Sequence, residues 1–141
     1  MINFPGIILA GGLSRRMGGG DKGLMDLGDK TILERVIENI EPQVCSLAIN
    51  INGDQSRFSR YRYPMISDSI SGHVGPLAGV LAGMDWAFEN NFKAIITVAA
   101  DSPFIPNDLV QRLSNLSKRK GSQIQRKRAH NQKSANCSCK S

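Results

Sequence analysis

The chain predicts an α/β sandwich built on a mostly parallel sheet, and three observations predict it. Apolar runs alternate with stretches of helical period, which is the pattern of βαβ units. One of those runs, residues 94–100, is almost wholly apolar and reads as a strand buried on both faces, the mark of a parallel sheet. A glycine-rich loop carrying cations follows the first strand directly, where such folds bind ligands.

The elements follow in order. Residues 5–10 make the first strand, and the glycine loop runs from Gly11 to Lys22. Gly28-Asp29 marks a turn. Thr31 and Glu34 form a capping box: the hydroxyl can accept from the Glu34 N–H while the carboxylate reaches back. The helix they open carries Ile32, Leu33, Val36, Ile37 and Ile40 on one face and ends at Pro42. Residues 44–50 form a second strand, Asn52-Gly53 a turn, residues 57–62 a short helix, and residues 64–68 a strand ending in Asp68. Residues 72–76 form a loop in which His73 is a solvated side chain, and Pro76 suits a helix's first turn. Leu77, Val80, Leu81, Met84 and Phe88 recur at helical spacing and predict the packed face of that helix, with Met84 and Trp86 as packing residues. After the apolar strand, Asp101 stands at its carboxyl end. Pro103 to Pro106 turn the chain into a last helix, residues 107–116, with Leu109, Val110 and Leu113 inward.

Composition divides the chain. Of its 141 residues, those up to 116 hold 10 Lys and Arg against 12 Asp and Glu, and those beyond hold 8 cations and no acid. The net charge of +6 therefore belongs to the last segment. Residues 1–116 read as a mildly acidic globular domain, and residues 117–141 as a basic tail whose single large aliphatic residue, Ile124, cannot offset ordering entropy. The tail's abrupt compositional change resembles an out-of-frame translation; its other reading is a basic arm for an anionic partner. Cys45, in an apolar segment, is expected as a buried thiol. With Cys137 and Cys139 it makes an odd, sparse set that argues for a reducing cytoplasm. No apolar run approaches the roughly 18 residues of a membrane span, and the first residues lack the basic region of a signal peptide.

The chemistry gathers at predicted strand ends. Glycines in the loop let backbone N–H groups approach phosphate oxygens, while Arg15, Arg16 and Lys22 bring positive charge. No Gly-Lys-Ser/Thr terminates the loop, so it is not a P-loop. Asp101 reads either as a turn residue satisfying local N–H groups or as a Mg²⁺ ligand, since magnesium takes one or two carboxylates together with substrate phosphates and water. Asp68 can accept from a base or ribose, or simply end its strand. Asn50 can orient a nucleoside, with Asn52 an equal rival.

Leu9-Ala10-Gly11-Gly12, Ser14-x-Arg16-Met17-Gly18, Gly20-Asp21-Lys22-Gly23-Leu24, Gly75-Pro76-Leu77-Ala78-Gly79 and Ala100-Asp101-Ser102-Pro103-Phe104-Ile105-Pro106 together resemble the bacterial molybdenum cofactor guanylyltransferases. The first motif alone would fit any nucleotidyltransferase of this kind; the third and fourth narrow it. The resemblance covers residues 5–116 and implies a Rossmann-like nucleotidyltransferase of three α/β/α layers, incomplete at its C-terminus. It implies transfer of GMP from GTP to molybdopterin, with Mg²⁺ and release of pyrophosphate. Leu9, Ala10, Gly11 and Gly12 would line the nucleotide, Lys22 would contact phosphates, Asn50 and Asp68 would contact the guanosine part, and Asp101 would bind the metal. Arg16, Lys22 and Asp101 are then the catalytic candidates. GTP and molybdopterin are the implied small-molecule partners, and enzymes that mature molybdoproteins the implied macromolecular ones; nucleic acid is not expected.

Family members carry a His-Pro segment and a late Asn-x-Asn/Asp segment that this sequence lacks, so the expectation is a truncated or frame-shifted member with at most residual GTP binding. Two alternatives stay open: a cytidylyl- or sugar-phosphate nucleotidyltransferase, and a non-catalytic GTP-binding remnant with a nucleic-acid-contacting arm.

Overall fold

A computed structural model describes residues 3–11, 26–70 and 75–120 of the chain. Its sheet has four strands, β1 (Gly6–Leu9), β4 (Leu47–Asn50), β5 (Met65–Ile66) and β6 (Ile96–Ala99), in the order β5-β4-β1-β6, every pairing parallel. Two further strands, β2 (Asp26–Leu27) and β3 (Lys30–Thr31), form a separate antiparallel hairpin. Its two-residue loop needs a positive φ at the first position, and Gly28 supplies it at +78°. The Arg35 guanidinium donates to the Leu27 carbonyl (3.1 and 2.7 Å) and to Asp29 Oδ1 (3.0 Å), pinning the hairpin to the next helix.

Helix α1 (Ile32–Ile40) begins as its sequence demands. Thr31 Oγ1 accepts from the Glu34 N–H (3.2 Å) and Glu34 Oε2 accepts from the Thr31 N–H (2.8 Å). The bond from the Thr31 N–H holds the Glu34 carboxyl below its ordinary pKa. Leu33, Val36, Ile37 and Ile40 are buried, as are Ile7, Ile8 and Ile49 of the strands. A 3₁₀ turn, Glu41–Gln43, ends the helix at Pro42. A second 3₁₀ segment, Gln55–Tyr61, occupies the expected short helix and buries Phe58.

Helix α2 (Pro76–Glu89) corrects the expectation about its packed face. The buried residues are Ala78, Gly79, Ala82, Gly83 and Ala87, whereas Leu77, Leu81, Met84 and Phe88 are exposed, Leu77 and Phe88 to 77% and 82%. Val80 is half-buried. The small residues let the helix lie close on the sheet: a Cβ on Gly83 would stand 3.0 Å from Ile7 Cγ1. Trp86 does pack, stacking on Phe92 with ring centroids 6.2 Å apart.

Two more expectations change. β6 is not buried on both faces: Ile96 and Val98 are buried but Thr97 is exposed. Thr97 stands opposite Ile7 on the sheet face that α2 covers chiefly over β1, β4 and β5. Cys45 is exposed, because β4 starts only at Leu47 and Cys45 belongs to the connection before it.

The described residues from Asp108 to Lys120 belong to a second unit. Its helix, α3, covers residues 109–120, so residues 117–120 of the expected tail are helical; the rest of the tail, 121–141, lies outside the described residues. Val110 is buried as expected, but Leu113 is exposed and Ser114, four residues on from Val110, is buried instead. Arg112 pairs with Asp108 one turn earlier (2.6 Å). No described helix is long and apolar enough to cross a membrane.

Candidate functional site

Parallel register brings the candidate residues to one edge. Leu9 stands opposite Asn50 on one side and Ala99 on the other, and Asn50 stands opposite Ile66. Beyond that row the ladder continues briefly: the Ala10 N–H donates to the Asn50 carbonyl (2.9 Å), Ile51 to Ile66 (2.9 Å) and Ala100 to Leu9 (3.1 Å). Residues 10–11, 50–52, 68 and 101 thus emerge together from the carboxyl end of the sheet. Three strand spacings of about 4.8 Å separate the β5 side from the β6 side, roughly 14 Å in all.

At the β4–β5 end, three side chains interlock. Asn50 is 2% exposed, and its Nδ2 donates to the Ile66 carbonyl (3.1 Å) and to Asp68 Oδ1 (2.8 Å). Asn52 Nδ2 donates to Asp68 Oδ2 (2.7 Å), and the Asp68 N–H donates back to Asn52 Oδ1 (3.0 Å). The partners fix which end of the Asn50 amide is nitrogen. They leave its Oδ1 buried without a donor among the described residues, facing Gly11 and Gly79. Such an acceptor is costly to leave unpaired and is suited to a ligand hydroxyl or N–H. Both glycines are required by contact: a Cβ on Gly79 would meet Asn50 Oδ1 at 2.4 Å, and one on Gly11 would meet Asn52 Nδ2 at 2.6 Å.

At the β1–β6 end, Asp101 occupies a turn closed by the Ser102 N–H donating to the Ala99 carbonyl (3.3 Å). The backbone closes this turn itself, and the half-buried carboxylate caps nothing among the described residues. The following segment is held from α1: Asn39 Nδ2 donates to the Pro103 carbonyl (2.7 Å), and Gln43 Nε2, from the 3₁₀ turn, to the Pro106 carbonyl (2.8 Å). No three metal-ligating side chains gather among the described residues. A single carboxylate suits magnesium, which draws its other ligands from phosphates and water, so Asp101 fits that ion better than one needing a full protein cage.

The structure therefore brings together Leu9, Ala10, Gly11, Asn50 and Asp68, with Asp101 on the same edge. Gly12, Arg16 and Lys22, like His73, lie outside the described residues. Two further residues touch this cluster, Asn52 and Gly79. Asn52 repeats Asn50 at strand period two, which puts both on one face, and that was the available signal. Gly79 is part of a repeated small-residue pair, Ala78-Gly79 and Ala82-Gly83, set four apart.

The MobA-like NTP transferase domain matches residues 6–135. A molybdenum cofactor guanylyltransferase of Mesorhizobium japonicum is 50% identical over 113 residues, covering 79% of this chain and 54% of its own length. One from Shewanella putrefaciens is 41% identical over 123 residues, covering 87% and 62%. The chain thus spans a little over half the length of these relatives. Among solved structures, molybdopterin-guanine dinucleotide biosynthesis protein A from Archaeoglobus fulgidus superimposes with a TM-score of 0.63 at 26% identity, over 84% of this chain and 57% of that one. Rv0371c from Mycobacterium tuberculosis, at 17% identity and a TM-score of 0.63, shares the fold over 82% of this chain and 60% of its own.

Proposed function

The chain belongs to the MobA-like NTP transferase domain family, and on that footing we propose that it serves the transfer of GMP from GTP to molybdopterin. A terminal phosphate oxygen of molybdopterin bonds to the α-phosphorus of GTP. The bond from that phosphorus to the oxygen bridging to the β-phosphate breaks, and pyrophosphate leaves with the electron pair. The incoming phosphate is already an anion, so the reaction asks little of a general base and much of positioning and charge neutralisation.

The observation that carries the reading is the row of Asp68, Asn50, Leu9–Gly11 and Asp101 along one sheet edge. Asp68 and the Asn50 Oδ1, which has no donor among the described residues, suit the nucleoside end. Ala10 and Gly11 carry backbone alongside the middle of the row. Asp101, at the far end, would hold Mg²⁺, which when bound screens the triphosphate and the charge growing on pyrophosphate. Arg16 and Lys22 bring further cations to the phosphates by their place in the sequence. The relatives' names support guanine as the base and the molybdenum cofactor as the acceptor, and the Archaeoglobus fulgidus protein's title names molybdopterin-guanine dinucleotide. The sparse cysteines support a cytoplasmic setting.

Equilibrium binding of GTP and CTP to the 141-residue chain, followed by an assay of pyrophosphate release with GTP, Mg²⁺ and molybdopterin, tests the reading. The expected result is preferential GTP binding that weakens in Asp101→Asn when Mg²⁺ is present. Equal binding of CTP, or none of GTP, overturns it.

A further inference from the structure

We propose that Asn52 is a positioning residue: it sets the Asp68 carboxylate to receive a pair of neighbouring donors from the nucleoside. The inference rests on the nucleotide reading above and adds to it a residue and a mode of recognition.

Asp68 lies two residues beyond β5 on extended chain, and a carboxylate there would ordinarily rotate freely. Here it cannot. Asn50 donates to one oxygen and Asn52 to the other, at 2.8 and 2.7 Å. Asn52 also accepts from the Asp68 backbone N–H at 3.0 Å, so it grips both the side chain and the main chain of one residue. Asn50 is buried and owes its second hydrogen to the Ile66 carbonyl, whereas the exposed Asn52 spends its carbonyl and one N–H on Asp68. Gly11 makes this possible, because any side chain there would collide with Asn52 Nδ2.

A carboxylate has about four acceptor sites, and two are taken. Among the described residues that leaves one on each oxygen. That arrangement matches two adjacent donors: the ribose 2′- and 3′-hydroxyls, or the N1–H and N2–H of guanine. Both present the same chemistry to Asp68.

The test is a double-mutant cycle on the full 141-residue chain with GTP, dGTP and ITP as ligands, with thermal melts run alongside. Asn52→Ala should weaken GTP binding about tenfold, about 1.4 kcal/mol, without lowering the melting temperature. In an Asp68→Ala background the same substitution should cost nothing more. Asn52→Asp keeps the shape but turns the donor into an acceptor facing Asp68, so it should be worse than Asn52→Ala. If the Asn52→Ala penalty disappears with dGTP, the ribose supplies the donors; if it disappears with ITP, the guanine edge does. Either result supports the inference. An equal penalty with all three ligands, a penalty that persists without Asp68, or unchanged GTP binding by Asn52→Ala overturns it while leaving the nucleotide reading intact. Failure of the unaltered chain to bind GTP overturns both.

Discussion

The two helices of the sheet-bearing unit meet the core in opposite ways. α1 buries large aliphatic side chains, Leu33, Val36, Ile37 and Ile40, and turns its polar residues outward. α2 buries two glycines and three alanines and turns Leu77, Met84 and Phe88 outward. α1 is held by the volume of what it buries, and α2 by how closely it can approach. The difference follows from position, because α2 passes beside Asn50 at the carboxyl edge of the sheet, where a helix with ordinary side chains would push the amide out of place.

The largest effect expected from breaking this contrast is in α1. Leu33→Ala removes a fully buried side chain and should cost about 2–5 kcal/mol in denaturant unfolding. Next is Gly79→Ala in α2. In an ordinary helix interior this change gains up to about 1 kcal/mol. Here the new Cβ would lie 2.4 Å from Asn50 Oδ1, so the sign should reverse, with a loss of about 1–3 kcal/mol and weakened GTP binding. By contrast, Leu77→Gln and Phe88→Gln, which remove far more apolar volume from α2, should change unfolding free energy by no more than about 0.5 kcal/mol.

The smallest effect concerns the polar tie at the end of α1. The Tyr63 hydroxyl donates to Glu41 Oε1 (2.6 Å), and burial together with that bond pushes its pKa from 10.0 up to about 12. A raised acid pKa means the folded state holds the proton more tightly. The tie therefore contributes fully below pH 10 and is lost as pH rises through about 12. Melting temperatures of Tyr63→Phe should fall less steeply across that interval than those of the unaltered chain. Identical slopes would remove the tie from the account.

The contrast also explains what could be read in advance. The capping box and aliphatic stripe of α1 are local signals, and local structure honours them. The same periodicity in Leu77, Leu81, Met84 and Phe88 pointed to the wrong face, because hydrophobic spacing carries no term for how near a helix must come to its sheet. The apolar run at residues 94–100 predicted a strand correctly, but not that Thr97 would be exposed. In the site, Asn50, Asp68 and Asp101 were legible as polar residues ending apolar runs. Asn52 was not separable from Asn50, since both lie at one period on one face, and only the bonds to Asp68 assign their different tasks.

The strand order has a mechanical consequence. Asp68 follows β5 and Asp101 follows β6, the two outermost strands of the sheet among the described residues. A molecule reaching from one to the other would act as a clamp across the full width of the sheet, resisting fraying at both margins at once. At a hundred times its dissociation constant it would add about 2.7 kcal/mol to the folded state. Slower amide exchange in β5 and β6 together would be the signature of that clamp.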